Sequence, residues 1–263
     1  MYDQMPKGKK EAMIGLGSEQ YIVDLINNDE NFRRSIDEAL GVLGIGIYGP
    51  IHARNVEDTG KIDIMISSVG ASMKSGKTGW HHLDRRRLES WASILNMPDV
   101  IFDIFKRSIL RVTKDRNNEF INVHDQDRIK GFLEPNIQQM IHEVFDRNDE
   151  DLLVFMVYNT ERDTISLFRM DEMLEHLITS NIHFSKKGIV CIGDFITIQR
   201  KGGDGNVKDI PKSDWLHPCN QLQFKLKAKH MALAMERSSA VSSVVIRCPS
   251  QTGVQWTSAD DWF

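Results

Sequence analysis

"KIDIMISSVGASMK", residues 61–74, is the stretch on which the fold turns. Upstream of it the apolar residues recur at helical spacing; here the pattern switches to strand. A single carboxylate, Asp63, sits inside the apolar run. Gly70 and Gly76 punctuate its second half, so residues 62–75 read as a hairpin. Lys74 comes eleven positions after Asp63, beyond a turn near Ser68–Val69. In a tight hairpin the two side chains would stand nearly opposite each other on one sheet surface. Two chemistries suit that pair. One is a cross-strand ion pair of little energetic weight. The other is a carboxylate that holds a divalent cation, with a lysine that orients an attacking water and stabilises phosphate charge.

Outward from this hairpin the chain alternates between helix and strand. "GSEQYIVDLINND" (17–29) reads as a helix capped by Ser18, with Glu19 in its first turn. Glu19 is either a dipole-favoured residue at a helix start or a second carboxylate for the same cation. "ENFRRSIDEAL" is a second helix that stops at Gly41, and "GIGIYGP" takes on strand character. Downstream, "LDRRRLESWASIL" and "PDVIFDIFKRSIL" return to helical spacing. "HDQDRIKGFLEPNIQQMIHEVF" does too, with Pro135 placed to kink or split it. "LLVFMVY" and "TISLFR" are strands, "DEMLEHLITS" a short helix, and "IVCIGDFITIQR" and "QLQFKLK" two more strands. This order predicts an α/β or α+β domain with a mixed central sheet flanked by helices. Residues 1–15 read as a flexible leader, 16–237 as one domain, and 238–263 as an extension without a clear pattern.

Two further stretches carry unusual chemistry. "KSGKTGWHHLDRRR" crowds Lys74, Lys77, His81, His82 and Arg85–Arg87 together. Adjacent histidines do not converge on one helix face, so phosphate or base contact is favoured over metal there, beside the plainer reading of a solvated basic face. "ITIQRKGGDG" (196–205) delivers Gln199, Arg200 and Lys201 at a strand end, followed at once by Gly202 and Gly203. Gln and Arg read base edges bidentately, and glycines permit close backbone approach. The stretch lacks both phosphate-loop glycine patterns.

The formal net charge of -4 hides segregation. Residues 61–91 hold six Lys/Arg against three Asp/Glu, and 183–230 hold nine against four. Residues 140–180 hold three against ten. The segments with odd chemistry are therefore the basic ones, an electrostatic footprint suited to phosphates. No apolar run approaches the ~18–20 residues of a membrane span, and no signal peptide is evident. Three widely spaced cysteines argue against a disulfide framework or zinc site and fit a reducing cytosol.

The pair "ITIQRKGGDG … NQLQFKLK" resembles the C-terminal signature of MspI-like type II restriction endonucleases, in particular their relatives that cut GCGC. "GSEQYIVDLI" is similar to the family's first helix with its acidic residue, here Glu19. "GKIDIMI" is similar to the strand of the catalytic aspartate, here Asp63. "GWHHLDRRRLESW" is similar to the segment that follows the catalytic lysine and enters the DNA groove. The resemblance covers about residues 15–230. It implies a PD-(D/E)xK nuclease core, Mg²⁺ as cofactor, and hydrolysis of phosphodiester bonds at a short, G/C-rich duplex site. It further implies a cytoplasmic enzyme, monomer or homodimer, paired with a cognate DNA methyltransferase. On this resemblance Asp63, Ser72, Lys74 and Glu19 are the catalytic set, with Asp63 and Glu19 on the metal. The DNA-binding set is Lys77, His81, His82, Arg85, Gln199, Arg200, Lys201, Asn220, Gln223 and Lys225, with Lys77 as the fallback catalytic lysine.

The chain also departs from the family's pattern. Ile62 precedes Asp63 where Pro or Ser is usual, and Ser72 stands where Glu, Gln or Asn is usual. The gap from aspartate to lysine is short, and the spacer "NVKDIPKSDWLHPC" is long enough to form an extra DNA-facing loop. These departures keep an alternative open: a sequence-specific DNA-binding protein on a catalytically degenerate nuclease fold.

Overall fold

The computed structural model describes residues 7–56, 60–75, 80–115, 117–147, 149–201 and 209–249. The chain opens with helices α1 (Lys7–Asn28) and α2 (Glu30–Val42). Strands β1 (Ala53–Asn55), β2 (Ile64–Ile66), β3 (Val69–Ser75) and β4 (His81–Arg87) follow. Helices α3 (Leu88–Ile94), α4 (Asp99–Lys114) and α5 (Val123–Phe145) come next, then β5 (Leu152–Asn159), β6 (Thr164–Arg169) and α6 (Met170–Ile178). The chain continues through β7 (Ile182–Phe184), β8 (Val190–Ile192), β9 (Ile196–Arg200), β10 (Gln221–Leu226), α7 (Ala228–Met235) and β11 (Ser243–Arg247). This is an α+β protein. Where the sequence reads as one domain over 16–237, the chain groups into two compact units. One comprises Met1–Thr78, Asp149–Met173 and Ala232–Phe263; the other comprises Gly79–Asn148 and Leu174–Met231.

The first unit holds a six-stranded sheet in the order β1-β2-β3-β5-β6-β11. Its β3–β5 pair is parallel and the others are antiparallel, so the sheet is mixed, as expected. Alternation along the strands sends Ile64, Ile66, Ala71, Met73, Val154, Met156, Ile165 and Leu167 into one core with Ile22 and Ile26 of α1 and Phe32, Ile36 and Leu40 of α2. The opposite pleat of β3 carries Ser72 and Lys74. Gly70 lets β5 approach: a Cβ there would lie 2.7 Å from the Asp151 carbonyl oxygen and 2.8 Å from Ile62 Cδ1.

The second unit holds a five-stranded antiparallel sheet in the order β4-β10-β9-β8-β7. One face is apolar: Leu222, Phe224, Leu226, Ile196, Ile198, Val190 and Ile192 are all buried. Trp91 of α3 packs against Phe224 at 4.7 Å between ring centroids, the rings tilted by 36°.

Several expectations change. Helix α1 begins at Lys7, inside the expected leader, so Ser18 lies within the helix rather than at its start. "GIGIYGP" forms no strand; its glycines at 44 and 49 take φ of 71° and 95°, which break an extended run. His81–Arg87 is a strand rather than the start of a helix, because six positions of β10 pair with it. Helix α5 runs through Pro135 without a break; its neighbour Asn136 donates its side-chain N–H to the Phe132 carbonyl at 2.8 Å. "IVCIGDFITIQR" is two strands, folded back at Gly193, whose φ is 51°. Strand β11 lies in the expected extension, yet it pairs five residues with β6 at the edge of the first unit's sheet.

Candidate active site and nucleic-acid interface

The β2–β3 hairpin register places Ile64 opposite Ala71, which puts Asp63 level with Ser72. Asp63 lies just before β2, with its carboxylate within reach of the Met73 N–H of β3. That N–H donates to Asp63 Oδ2 at 2.7 Å. Ser72 Oγ donates to the same oxygen at 3.0 Å and Lys74 Nζ at 2.9 Å. Lys74 Nζ also donates to Ser72 Oγ at 3.1 Å and to the Met73 carbonyl at 2.8 Å. The period of two along β3 is what sets Ser72 and Lys74 side by side. Ser72 is buried, while the Lys74 and Asp63 side chains keep 19% and 27% of their surface, enough for a small ligand to reach them.

Glu19 of α1 belongs to the same cluster. Its burial first, and then the charge of Asp63, push its carboxyl up to about 7, while Lys74 acts in the opposite sense. Two carboxylates held close enough to repel, in a half-buried setting, are a combination a hard dication relieves. Asp63 Oδ1 accepts no hydrogen bond among the described residues, so it is available as a ligand. No group of three or more His, Cys, Asp or Glu gathers around a common point among the described residues. Two carboxylates are the supply Mg²⁺ ordinarily takes from a protein, its other positions going to water and phosphate. The residues present therefore fit that ion.

The second unit presents a polar sheet face. Gln223 of β10 pairs with Arg85 of β4 on one side and Gln199 of β9 on the other, and cross-strand partners share a face. The next row on that face is His82, Lys225 and Thr197. His82 and Arg85 are exposed, whereas Gln223 is 3% exposed beneath them, its Nε2 2.6 Å from His82 Nδ1. Lys201, whose N–H donates to the Gln221 carbonyl, falls on the Gln199 side by alternation.

Other expected residues diverge from this face. His81 pairs with buried Leu226, on the reverse side from His82. Arg200 pairs with Leu222, so strand alternation splits Gln199, Arg200 and Lys201 between two faces. The Arg200 Nε donates to Asn220 Oδ1 at 3.4 Å. Asn220 is fully buried: Thr113 Oγ1 of α4 donates to its Oδ1, and its Nδ2 donates to the Lys212 and Asp214 carbonyls. It organises the interior of the unit. The later part of the spacer is docked rather than loose, since Trp215 lies under the Arg87 guanidinium at 4.9 Å and donates its Nε1–H to Glu89. Lys77 and the Gly202–Gly203 pair lie outside the described residues. Gln20 and Asn55, which join α1 to β1, gave no sequence signal.

No family model and no curated protein matches the chain in sequence. In structure it is similar to the restriction endonuclease MspI, solved in complex with its cognate DNA, at a TM-score of 0.53 and 14% identity. The match covers 85% of this chain and 94% of that one. The fold is restriction-endonuclease-like. At this identity the likeness concerns the fold, and the chemistry rests on the side chains above. Among the described residues no helix is long and apolar enough to cross a membrane.

Proposed function

We propose that the protein is a Mg²⁺-dependent type II restriction endonuclease that hydrolyses one phosphodiester bond per strand at a short duplex site. The observation that carries this reading is the convergence of Ser72, the Met73 N–H and Lys74 on one oxygen of Asp63, with Glu19 beside them, in a restriction-endonuclease-like fold. Asp63 and Glu19 would hold Mg²⁺, which when bound supplies positive charge to the phosphate and acidifies water. Lys74 Nζ exchanges one acceptor for the scissile phosphate and steadies the attacking water, and its charge offsets that developing on the phosphate. Ser72 and the Met73 N–H keep Asp63 fixed, so the site needs little reorganisation when DNA arrives. In-line attack inverts the phosphorus centre and expels the 3′ oxygen. Arg85, Gln199, His82 and Lys225 face duplex DNA on the polar sheet, Arg and Lys on phosphates or guanine and Gln199 on adenine edges, while buried Gln223 holds His82 from beneath. A methyltransferase of matching specificity would protect the host's own sites in the cytoplasm.

The competing reading is a DNA-binding protein without cleavage. It is favoured by the engagement of Lys74 with three acceptors and by Ser72 in place of a longer polar side chain. A digest of a fully sequenced plasmid with Mg²⁺ or EDTA separates the two. Discrete Mg²⁺-dependent fragments that disappear with Lys74→Ala support the nuclease. Gel retardation without any cutting supports the binder.

A further inference from the structure

Glu19 and Asp63 belong to different elements, α1 and the β2–β3 hairpin, so how near they lie depends on how α1 is held against the sheet. Two side-chain amides tie α1 to the edge strand β1. Asn27 Nδ2 donates to the Ala53 carbonyl at 2.9 Å and its Oδ1 accepts the Ala53 N–H at 2.8 Å. Two helical turns earlier, Gln20 Oε1 accepts from Asn55 Nδ2 at 2.7 Å, while Gln20 Nε2 donates to Asp24 at 2.8 Å. Asn55 pairs with Ile64, and the next rung is the Val56 N–H on the Asp63 carbonyl at 3.1 Å. Asn55 thus touches helix and hairpin within one residue of each carboxylate. Gln20 and Glu19 lie about 100° apart around the helix, so fixing Gln20 fixes the roll that carries Glu19.

We propose that Asn55 is a positioning residue for the metal site, acting through Gln20 to hold Glu19 at Asp63. The proposal rests on the nuclease reading above. Its second support is a cost: Asn55 Oδ1 is buried and has no hydrogen-bond partner among the described residues. An orphaned buried carbonyl lowers stability, so the fold alone gives little reason for an amide here. Replacing it with alanine loses one hydrogen bond and removes the orphan, which leaves stability nearly level.

The test is direct Mn²⁺ binding to DNA-free protein, followed by electron paramagnetic resonance, for wild type, Asn55→Ala, Gln20→Ala and the double variant. Each single variant is expected to bind Mn²⁺ about 10-fold more weakly. The double variant should bind no more weakly than either, because both cut the same link. Asn55→Ala should keep its thermal midpoint within about 2 °C of wild type. Equal Mn²⁺ affinity in wild type and Asn55→Ala overturns the positioning role and leaves the nuclease reading standing. Additive losses in the double variant overturn it as well. Wild-type protein that neither binds Mn²⁺ nor cuts DNA overturns both. Should Asn55→Ala melt far below wild type, Gln20→Ala, at a half-buried position of α1, carries the same comparison.

Discussion

At Lys74 one ammonium group meets Asp63, Ser72 and the Met73 carbonyl, and the carboxylate would still keep two donors without it. Lys74→Ala should therefore leave the hairpin folded and DNA binding intact while lowering single-turnover cleavage about 10²–10³-fold. Filter binding alongside a single-turnover digest checks both halves. Glu19 makes a different prediction. Its carboxyl is raised from 4.5 to about 7, so through that window the folded chain holds a proton the unfolded chain has released. Stability then falls as pH rises between those two values and levels off above them. Glu19→Gln should remove this slope and, at pH 8 without metal, exceed wild type by on the order of 1 kcal/mol, allowing for partial exposure. Melts across the window, with and without Mg²⁺, measure it; the ion should restore wild type only where Glu19 is ionised. Asp63 and Lys74 are legible in the sequence as polar residues on the two arms of one hairpin, but the turn falls at Ser67–Ser68 rather than near Ser68–Val69, so Ser72 and not Lys74 stands level with Asp63. Glu19 is legible as an acid on the right helix, but its closeness to Asp63 depends on how α1 docks. The split of Arg200 from Gln199 needs only the alternation of a strand: neighbours in sequence are not neighbours in space.

Among the elements, β4 is the hardest to read. Its residues, "HHLDRRR", have neither alternating apolar positions nor β-branched side chains, and a helical stripe begins directly after them at Leu88. What makes it a strand is pairing with β10 from Gln221 to Leu226, a partner more than a hundred residues away. The same long reach hides Asn220, which as a sequence position resembles any loop asparagine before a strand. Its four side-chain hydrogen bonds join α4, β9 and the spacer. Asn220→Ala should cost about 2–4 kcal/mol in urea unfolding, since it strands buried donors and acceptors together. If the residue instead acted mainly on DNA, the unfolding curve would stay put and only binding would change. Trp215 is hidden for a related reason: a tryptophan in a polar spacer shows its role only once Arg87, Lys106 and Phe102 surround it.

At the scale of the molecule, the mixed sheet and its flanking helices follow from the order of periodic segments. The closing strand β11 does not, because "SVVIR" is short and sits in a tail of weak pattern. Its pairing with β6, and the buried Ile246 and Cys248, predict that a chain cut after residue 237 exposes the β6 edge. Such a truncation should lose at least about 3 kcal/mol and scatter light on warming, as calorimetry and turbidity would report. The two units also trade the backbone repeatedly: the first is assembled from three stretches of sequence and the second from two. The polar face draws β4 from one of those stretches and β9 and β10 from the other. A single crossover between genes that falls anywhere from β4 to β9 therefore divides that face between two parents. Substitutions on that face are made on strands whose reverse side is already committed to the core, so each must leave the buried residues opposite it in place.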